Sequence, residues 1–252
     1  PLIKEIDCIH AHWIGWAYDV AMPLSSLMGS PFTLFAHDSI YEKYPEHYFE
    51  ALQDSAAAII FPSSGCKALW STKTNREDNL YVIPNAVDIE SFCPARERHC
   101  KKKNEPTLIT IGRLDPEKRV SDALRAIKHL SDKGIICRYK VVGDGREGDH
   151  LRRLAEELNI DKLVDFLGVQ SPQRIAEELK ISDIYVHPSE NESFGVAVVE
   201  AMSTGLPVVA GANMGTRDTV VPGVTGYLYE PGSVEALATN LESLINDDSL
   251  RE

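Results

Sequence analysis

Apolar, β-branched runs alternate with helical patterns through the second half of the chain, and this alternation limits the possible folds most strongly. Runs of this kind between residues 107 and 210 are TLITIG, RYKVVG, VDFLG, DIYVHPS and LPVVA. The segments between them, such as VSDALRAIKHLSDKG, carry apolar residues at helical spacing. Continuous apolar strands that alternate with helices are typical of parallel βαβ units. The pattern therefore predicts a doubly wound α/β domain, whose last helix is expected over residues 233–247.

The first half of the chain repeats this rhythm more weakly. IDCIHAHW, FTLFAHDS, AAAIIFPSS and LYVIPN are predicted as strands, with helices expected around residues 16–28 and 44–55. The polar, basic segment CPARERHCKKKNEP, residues 93–106, is bounded by prolines and predicts a linker. Residues 1–92 and 107–252 are accordingly expected to form two Rossmann-like domains. The cleft between two such domains is the expected ligand site.

Charge and cysteine content argue against several classes of protein. The chain has 26 Lys and Arg against 38 Asp and Glu, so neither a nucleic-acid groove nor tight docking on anionic lipid is expected. No apolar run approaches the roughly 18 residues of a membrane span, and the first residues lack the pattern of a signal peptide. Five cysteines without CxxC spacing predict a reduced, cytoplasmic protein rather than a disulfide scaffold or a zinc site.

Glutamates crowd the segment PSENESFGVAVVEAMSTG, which reads as a strand end, a loop and a helix. Backbone N–H groups near Phe194, Gly195 and Val196 could bind a phosphate at the helix start, and Gly195 would allow close approach. Carboxylates would repel that phosphate unless they accept hydrogen bonds from hydroxyl groups. A nucleotide sugar resolves the conflict, with Glu192 at the sugar and Glu200 at the ribose. The alternative is a set of solvated glutamates favoured by the helix dipole alone.

Two cations bracket the loop in IGRLDPEKRV, which follows a strand ending at Gly112. Arg113 and Lys118 could neutralise a diphosphate, although an ordinary charged surface loop is the alternative. The GDG turn that begins at Gly143 leaves room for a base or ribose, but a GDG turn alone is a weak signal. Neither a Walker sequence nor a DxD motif is present, so a metal cofactor is not indicated.

Histidines end two of the strands predicted in the first half. His37 ends the strand in FTLFAHDS, and His12 has a similar position in IDCIHAHW. A histidine facing a cleft could donate a hydrogen bond or act as a base, whereas a lone histidine at a strand end is more often structural.

Together these motifs resemble the family-4 glycosyltransferases, retaining enzymes of the GT-B fold, over nearly all of residues 107–247. The most specific element is E-x7-E, from Glu192 to Glu200, followed by AMSTGLPVVA. GRLDPEK, VVGDG, VDFLG and VTGYLYEPG fall in the family's order and spacing. IDCIHAHW, FTLFAHDS and VIPNAVD match more loosely, with Ala86 where the family usually has glycine. The resemblance implies two GT-B domains, the first of them shortened.

The resemblance also implies a role for each candidate residue. Arg113 and Lys118 would bind the donor diphosphate, Glu192 would hold the transferred sugar, and Glu200 would bind the ribose. His37 would lie at the sugar on the side of the first domain. The implied catalytic set is His37, Arg113, Lys118 and Glu192, and the implied donor-binding set is Gly112, Gly143, Leu167, Ser193, Phe194, Gly195, Val196 and Glu200.

The implied activity is transfer of a sugar from a nucleoside-diphosphate sugar, without a metal and with retention of anomeric configuration. UDP- or GDP-sugars are the expected donors, whereas the acceptor (a sugar, a lipid-linked or a small molecule) stays open. One alternative is a non-catalytic nucleotide-sugar-binding protein. Another is a GT-B epimerase, which E-x7-E disfavours. A second copy of the chain could cover apolar surface left by the short first domain, which predicts a possible homodimer.

Overall fold

Two parallel β-sheets, one in each half of the chain, carry the fold. The computed structural model describes residues 6–37, 44–95 and 105–251. Within each sheet the strands are parallel and are joined by helices, which confirms the predicted α/β class with two parallel-sheet domains.

The chain divides into two compact units. The first comprises Pro1–Asn85 together with Glu192–Phe194, and the second comprises Ala86–Asn191 together with Gly195–Glu252. Each unit therefore has its own sheet. The predicted domain boundaries, at residues 92 and 107, stay a prediction.

The sheet of the first unit has the strand order β1-β2-β3-β4. Its strands are β1 (Ile9–His12), β2 (Phe32–Phe35), β3 (Ala58–Phe61) and β4 (Leu80–Val82), and its helices are α1 (Trp16–Met28), α2 (Glu46–Ser55) and α3 (Ser64–Thr74). Each strand lies within one of the four segments whose pattern predicts a strand.

Aromatic packing fixes the core of the first unit. Trp70 of α3 is fully buried and meets Phe49 and Phe61 edge to face, with ring centroids 4.9 and 5.5 Å away. Its indole N–H donates a 3.2 Å hydrogen bond to the side-chain oxygen of Gln53, so the one polar atom of this ring is satisfied inside the core.

Helix α1 leaves an apolar stripe exposed. Trp16, Val20, Leu24 and Leu27 are all exposed, and their spacing places them on one side of the helix. The opposite side contributes Tyr18 and Ala21 to the core. The predicted homodimer, which would cover such a stripe, stays a prediction.

The sheet of the second unit has the strand order β10-β9-β8-β5-β6-β7. Its strands are β5 (Thr107–Ile111), β6 (Arg138–Val142), β7 (Val164–Gly168), β8 (Ile184–His187), β9 (Val208–Gly211) and β10 (Gly226–Tyr229). Its helices are α4 (Val120–Asp132), α5 (Gly148–Glu157), α6 (Pro172–Lys180), α7 (Val196–Ser203), α8 (Thr216–Thr219) and α9 (Val234–Asn246), with 3-10 turns at Pro116–Lys118, Asp161–Leu163 and Asp248–Leu250.

Burial on both faces explains why the strands of the second unit are continuously apolar. All four residues of β8 and all four of β9 are buried, because helices cover both sides of the sheet. On α4, Ala123, Leu124 and Ile127 are buried at helical spacing and belong to the core on one side. Phe92 is buried in the core on the other side, so the segment after β4 packs against the second sheet.

Strand β10 is the element that sequence patterns do not predict as a strand. It has four residues and begins at Gly226, where a Cβ would lie 2.0 Å from the carbonyl oxygen of Val208 on β9. Close approach of two backbones requires this glycine, and glycine weakens the strand pattern.

The sequence predicts neither a membrane span nor a disulfide scaffold. No helix in the described part of the chain combines the length and apolar character needed to cross a bilayer. The cysteines with described positions, Cys8, Cys66, Cys93 and Cys137, form no disulfide with one another. The cytoplasmic location stays a prediction.

Candidate functional site

Strand order in the second sheet reverses between β5 and β8. The chain runs from β5 outward to β6 and β7, then returns to β8 on the other side of β5 and continues to β9 and β10. Ligands of open parallel sheets bind beyond the carboxyl ends of the strands at such a reversal. The segment after β5 (residues 112–119, the β5 loop) and the segment after β8 (residues 188–191, the β8 loop) therefore frame the candidate site.

Hydrogen bonds join the β5 loop to the β8 loop. The backbone N–H of Glu190 donates to the carbonyl oxygen of Glu117 at 3.0 Å, and the hydroxyl of Ser189 donates to the same oxygen at 3.3 Å. Arg119 donates to the carboxylate of Glu190 at 2.8 Å and to that of Asp122 at 2.7 Å. Glu190 thus serves to hold the loops together, which accounts for one glutamate of the acidic segment.

Asp115 organises the arginines of the site. Its carboxylate accepts hydrogen bonds from Arg113 at 2.5 Å and from Arg146 at 3.1 Å, and only 9% of its side chain is exposed. The hydrogen bond from Arg146, with the charge of Arg113, lowers the pKa of Asp115. Arg113 is 70% exposed and reaches Glu117 at 3.4 Å, so an incoming phosphate can contact its guanidinium without unfolding the loop.

Lys118 ends the 3-10 turn of the β5 loop, and its N–H donates to the carbonyl oxygen of Asp115 at 2.9 Å. The structure therefore places Arg113 and Lys118 on the same loop, at the carboxyl end of β5. A guanidinium and an ammonium there are groups that can pair with an anion at this strand end.

Glycines pack the ends of three strands together. The N–H of Gly112 donates to the carbonyl oxygen of Val142 at 3.0 Å, and that of Gly143 to Gly168 at 2.8 Å. A Cβ on Gly143 would lie 1.9 Å from the carbonyl oxygen of Gly112. Close packing of the two strand ends therefore requires glycine at Gly143. The predicted donor-binding roles of Gly112 and Gly143 stay a prediction.

A cavity of about 400 Å³ opens beside these strand ends. This volume lies within the usual range for small-molecule sites. Its lining residues are Leu114, Gly143, Asp144, Gly145, Arg146, Gly148, Asp149, Arg152 and Gly168. Leu167 lies beside this cavity on β7, but its side chain packs against the core, so at this position the lining comes from Gly168.

Helix α7 begins at the same edge of the sheet without a side-chain cap. Its N-cap residue is Gly195, with a left-handed φ of 87°, and no described side chain caps the helix. The carbonyl oxygen of Gly195 accepts the N–H groups of Val198 and Val199. The N–H groups of Val196 and Ala197 precede these bonds and point out of the first turn, where an anion is stabilised.

Glu200 lies one turn into α7 and is partly buried. Burial raises the pKa of its carboxyl group, and no neighbouring charge contributes to that shift. A carboxylate that has lost part of its hydration needs hydrogen-bond donors, and the hydroxyl groups of a ribose would supply them.

Glu192, the first glutamate of E-x7-E, belongs to the first compact unit. Glu192, Ser193 and Phe194 belong to the first compact unit, whereas Arg113, Lys118, Gly195, Val196 and Glu200 belong to the second. The second unit thus brings together the predicted diphosphate and ribose residues. Assembly of Glu192 with them stays a prediction.

His37 lies in the first unit, just after β2. Its Nε2 atom is 3.1 Å from Nδ1 of His12, and its ring stacks on Phe35 with centroids 4.1 Å apart. Burial lowers the pKa of His37, with further lowering by His12 and His10, so the ring is neutral at neutral pH. A neutral imidazole can donate or accept one hydrogen bond at a ligand.

Sequence reasoning missed three charged residues of the site. Asp115 and Arg146 are 31 positions apart and are joined by a hydrogen bond, and Arg152 lies over the ring of Phe166 at 4.6 Å. Asp115 stands in the GRLDPEK motif, which is the one signal that could have identified it. Among the described residues, no group of three or more His, Cys, Asp or Glu side chains could hold a metal ion. Metal independence stays a prediction.

Comparison with known proteins finds similarity to glycosyltransferases. A family model described as "Glycosyl transferases group 1" matches residues 94–252. The sulfoquinovosyl transferase SQD2 of Arabidopsis thaliana is 29% identical over 279 residues, which cover 100% of this chain and 53% of that protein. A D-inositol 3-phosphate glycosyltransferase of Mycobacterium sp. (strain KMS) is 34% identical over 203 residues, which cover 78% of this chain and 46% of that protein. The chain thus spans about half the length of these relatives.

Solved structures show the same architecture. HepE from Anabaena, crystallised in complex with UDP, matches with a TM-score of 0.86 and 25% identity over 98% of this chain and 71% of that protein. A complex of HepE with UDP and glucose matches with a TM-score of 0.84 and 25% identity over 97% of this chain and 70% of that protein. A sucrose-phosphate synthase from Thermosynechococcus elongatus has the same fold, with a TM-score of 0.82 at 22% identity over 97% of this chain and 66% of that protein.

Proposed function

Because the chain belongs to the group 1 glycosyl transferases, we propose that it binds a nucleoside-diphosphate sugar and transfers the sugar to an acceptor. The observation that carries the proposal is the cation-bearing β5 loop beside the uncapped start of α7, at the strand-order reversal. UDP is the first candidate nucleotide, since HepE was crystallised with UDP and this chain is 25% identical to it.

Each part of the donor has a partner of matching chemistry. The diphosphate lies against Arg113, Lys118 and the N–H groups at Val196, since cations and helix N-termini stabilise anions. The ribose hydroxyls donate to Glu200. The base enters the cavity lined by Gly143 and Gly168.

Glu192 and His37 are the proposed partners of the sugar end of the donor. Glu192 accepts hydrogen bonds from the hydroxyls of the transferred sugar, and neutral His37 lies beside that sugar. Neither residue has to carry a covalent intermediate. The acceptor hydroxyl attacks the anomeric carbon from the side that the diphosphate leaves, the bond from that carbon to the phosphate oxygen breaks, and the hydroxyl proton passes to the leaving phosphate, so the anomeric configuration is retained.

Catalysis then depends on position and charge. Arg113 and Lys118 stabilise the negative charge that develops on the departing diphosphate. Binding of the donor and the acceptor in one site holds the reacting atoms close together, which lowers the entropic cost of the reaction. Fixed cations supply the charge that a metal would otherwise supply, which is why the proposed transfer needs no metal.

Titration with UDP tests the binding step. We expect UDP to raise the melting temperature in buffer that contains EDTA, since a ligand that binds only the folded state stabilises it. Lys118→Ala should weaken UDP binding by about tenfold, which corresponds to about 1.4 kcal/mol. Lys128→Ala is the matched control, because Lys128 pairs with Asp132 on α4. If the two variants bind UDP with equal affinity, Lys118 does not contact the nucleotide.

A non-catalytic nucleotide-sugar-binding protein is the second candidate function. It is favoured by the grouping of Arg113, Lys118 and Glu200 in the second compact unit, whereas Glu192 belongs to the first. Incubation with radiolabelled UDP-sugars separates the two candidates. Transfer to an acceptor, or slow hydrolysis that Glu192→Ala abolishes, supports the enzyme, whereas binding without turnover supports the second candidate. A donor released with an altered sugar would instead indicate an epimerase.

A further inference from the structure

Trp13 has a backbone conformation that large side chains avoid. It follows β1 directly, and its N–H donates a 3.0 Å hydrogen bond to the carbonyl oxygen of Phe35, which extends the ladder between β1 and β2. Its φ is 77°, in the left-handed region. Such strain persists where the surrounding structure imposes it, and it concentrates at functional sites.

The indole ring of Trp13 is both exposed and held in place. Half of the residue, 52%, is exposed to solvent. One side of the ring contacts His37, with centroids 5.0 Å apart and the planes inclined by 37°. His37 is itself stacked on Phe35 and hydrogen-bonded to His12. A large aromatic surface is therefore fixed at the carboxyl end of β1, beside the histidine of the candidate site.

We propose that Trp13 binds the acceptor by stacking against a six-membered sugar or cyclitol ring. Such a ring has an apolar face of C–H groups and a rim of hydroxyls, and the face packs flat on an indole while the hydroxyls stay hydrated. The inference rests on the proposed function, which puts the transferred sugar beside His37. An acceptor ring on Trp13 lies next to that sugar.

The same features argue against other occupants of this surface. Trp16, on α1, is more exposed than Trp13, but it belongs to the regular helix and carries no backbone strain. A protein partner would be expected to use the whole stripe of α1. An anionic lipid surface is opposed by the net charge of the chain, −12.

Indole N–H signals in an NMR spectrum test the proposal directly. The chain has three tryptophans, Trp13, Trp16 and the buried Trp70, so three signals are expected, and the one lost in Trp13→Phe belongs to Trp13. The probes are methyl α-D-glucopyranoside and myo-inositol, each added with and without saturating UDP. Glycerol, which has hydroxyls but no ring, is the control.

We expect at least one ring-shaped probe to shift the Trp13 signal, while the Trp16 and Trp70 signals stay in place and glycerol has no effect. Equal shifts with glycerol, a shift at Trp16 alone, or no shift with either ring-shaped probe would overturn the proposal. These outcomes concern the acceptor side alone, since binding of UDP is measured separately.

Substitutions at Trp13 and Tyr81 provide a second test of the proposal. Trp13→Ala should weaken the affinity for the ring-shaped probe by about tenfold, or about 1.4 kcal/mol, whereas Trp13→Tyr should retain most of it. Tyr81→Ala removes an equally exposed ring from β4 and should change nothing. The Kd for UDP should be the same in all three variants, which also shows that they fold. If the parent chain fails to bind UDP, the proposed function is wrong; if UDP binds and Trp13→Ala keeps the probe affinity, only the acceptor role is wrong.

Discussion

The carbonyl oxygen of Gly112 occupies the space that a side chain on Gly143 would need, 1.9 Å from an ideal Cβ. Gly143 also has a φ of 129°. Since the obstructing atom is backbone, it cannot rotate away. Gly143→Ala should therefore lower the free energy of unfolding by about 3 kcal/mol, from conformational strain and overpacking together.

Gly134 provides the matched control for this substitution. Its φ is 79°, yet no atom lies within 4 Å of an added Cβ. Gly134→Ala should lower the free energy of unfolding by only about 1 kcal/mol, since it has the strain without the collision. Urea denaturation of both variants measures the difference. Equal losses would mean that the strand ends can separate.

Glu200→Gln should make the unliganded protein more stable at neutral pH. Burial raises the pKa of Glu200, so the folded state binds more protons than the unfolded state, and it loses stability as the pH rises through that window. Glutamine removes this cost. Melting temperatures should be higher for the variant at pH 7 and should converge with the parent below about pH 4.3, the pKa of an unfolded glutamate.

The same substitution should weaken UDP binding, in contrast to its effect on stability. Loss of a charged acceptor for the ribose hydroxyls should raise the Kd for UDP by about tenfold or more, since hydrogen bonds to charged groups contribute about 1.5–3 kcal/mol. Glu242→Gln is the control, because Glu242 lies on α9 and is paired with Lys133. A Glu200 variant that binds UDP normally would contradict the ribose assignment.

Asp115→Asn should destabilise the protein at neutral pH. The pKa of Asp115 is lowered chiefly by its hydrogen bond from Arg146, so its contribution is fully present above the unfolded pKa of about 3.9 and is lost as the pH falls through the lower folded value. Melting temperatures of the variant and the parent should differ at pH 7, and the difference should shrink as the pH falls below about 3.9. Asp132→Asn removes an exposed partner of Lys128 and should have little effect at either pH.

Local sequence patterns were sufficient to predict most of the fold. The apolar runs predicted β1 to β9, because burial on both faces leaves a continuous signal, and the break at Gly205 and Pro207 predicted the end of α7. Strand β10 escaped prediction because it begins with a glycine, which weakens the strand pattern. That glycine is required by its contact with Val208, which lies far away in the sequence.

Contacts between residues far apart in the sequence limited how much of the candidate site the motifs could predict. Motif spacing pointed to the β5 loop and to the start of α7, and the structure brings both to the strand-order reversal. The bond between Arg119 and Glu190 spans 71 positions, so no local pattern could show that Glu190 is structurally engaged. Nor does a sequence reveal φ, which is why Trp13 could not be recognised as strained.

Strain at Trp13 makes a prediction that is independent of any ligand. Trp13→Ala and Trp13→Gly remove the same ring and differ only in backbone preference. Since φ is 77° there, the glycine variant should be more stable than the alanine variant by about 1 kcal/mol. At Val20, an exposed position inside α1, the order should reverse, because glycine in a helix interior costs about 1 kcal/mol relative to alanine. Thermal or urea unfolding of the four variants measures the difference in stability between alanine and glycine at each position. If glycine is the worse residue at both positions, the left-handed conformation of Trp13 is not maintained in solution and the fixed orientation of its ring beside His37 is lost with it.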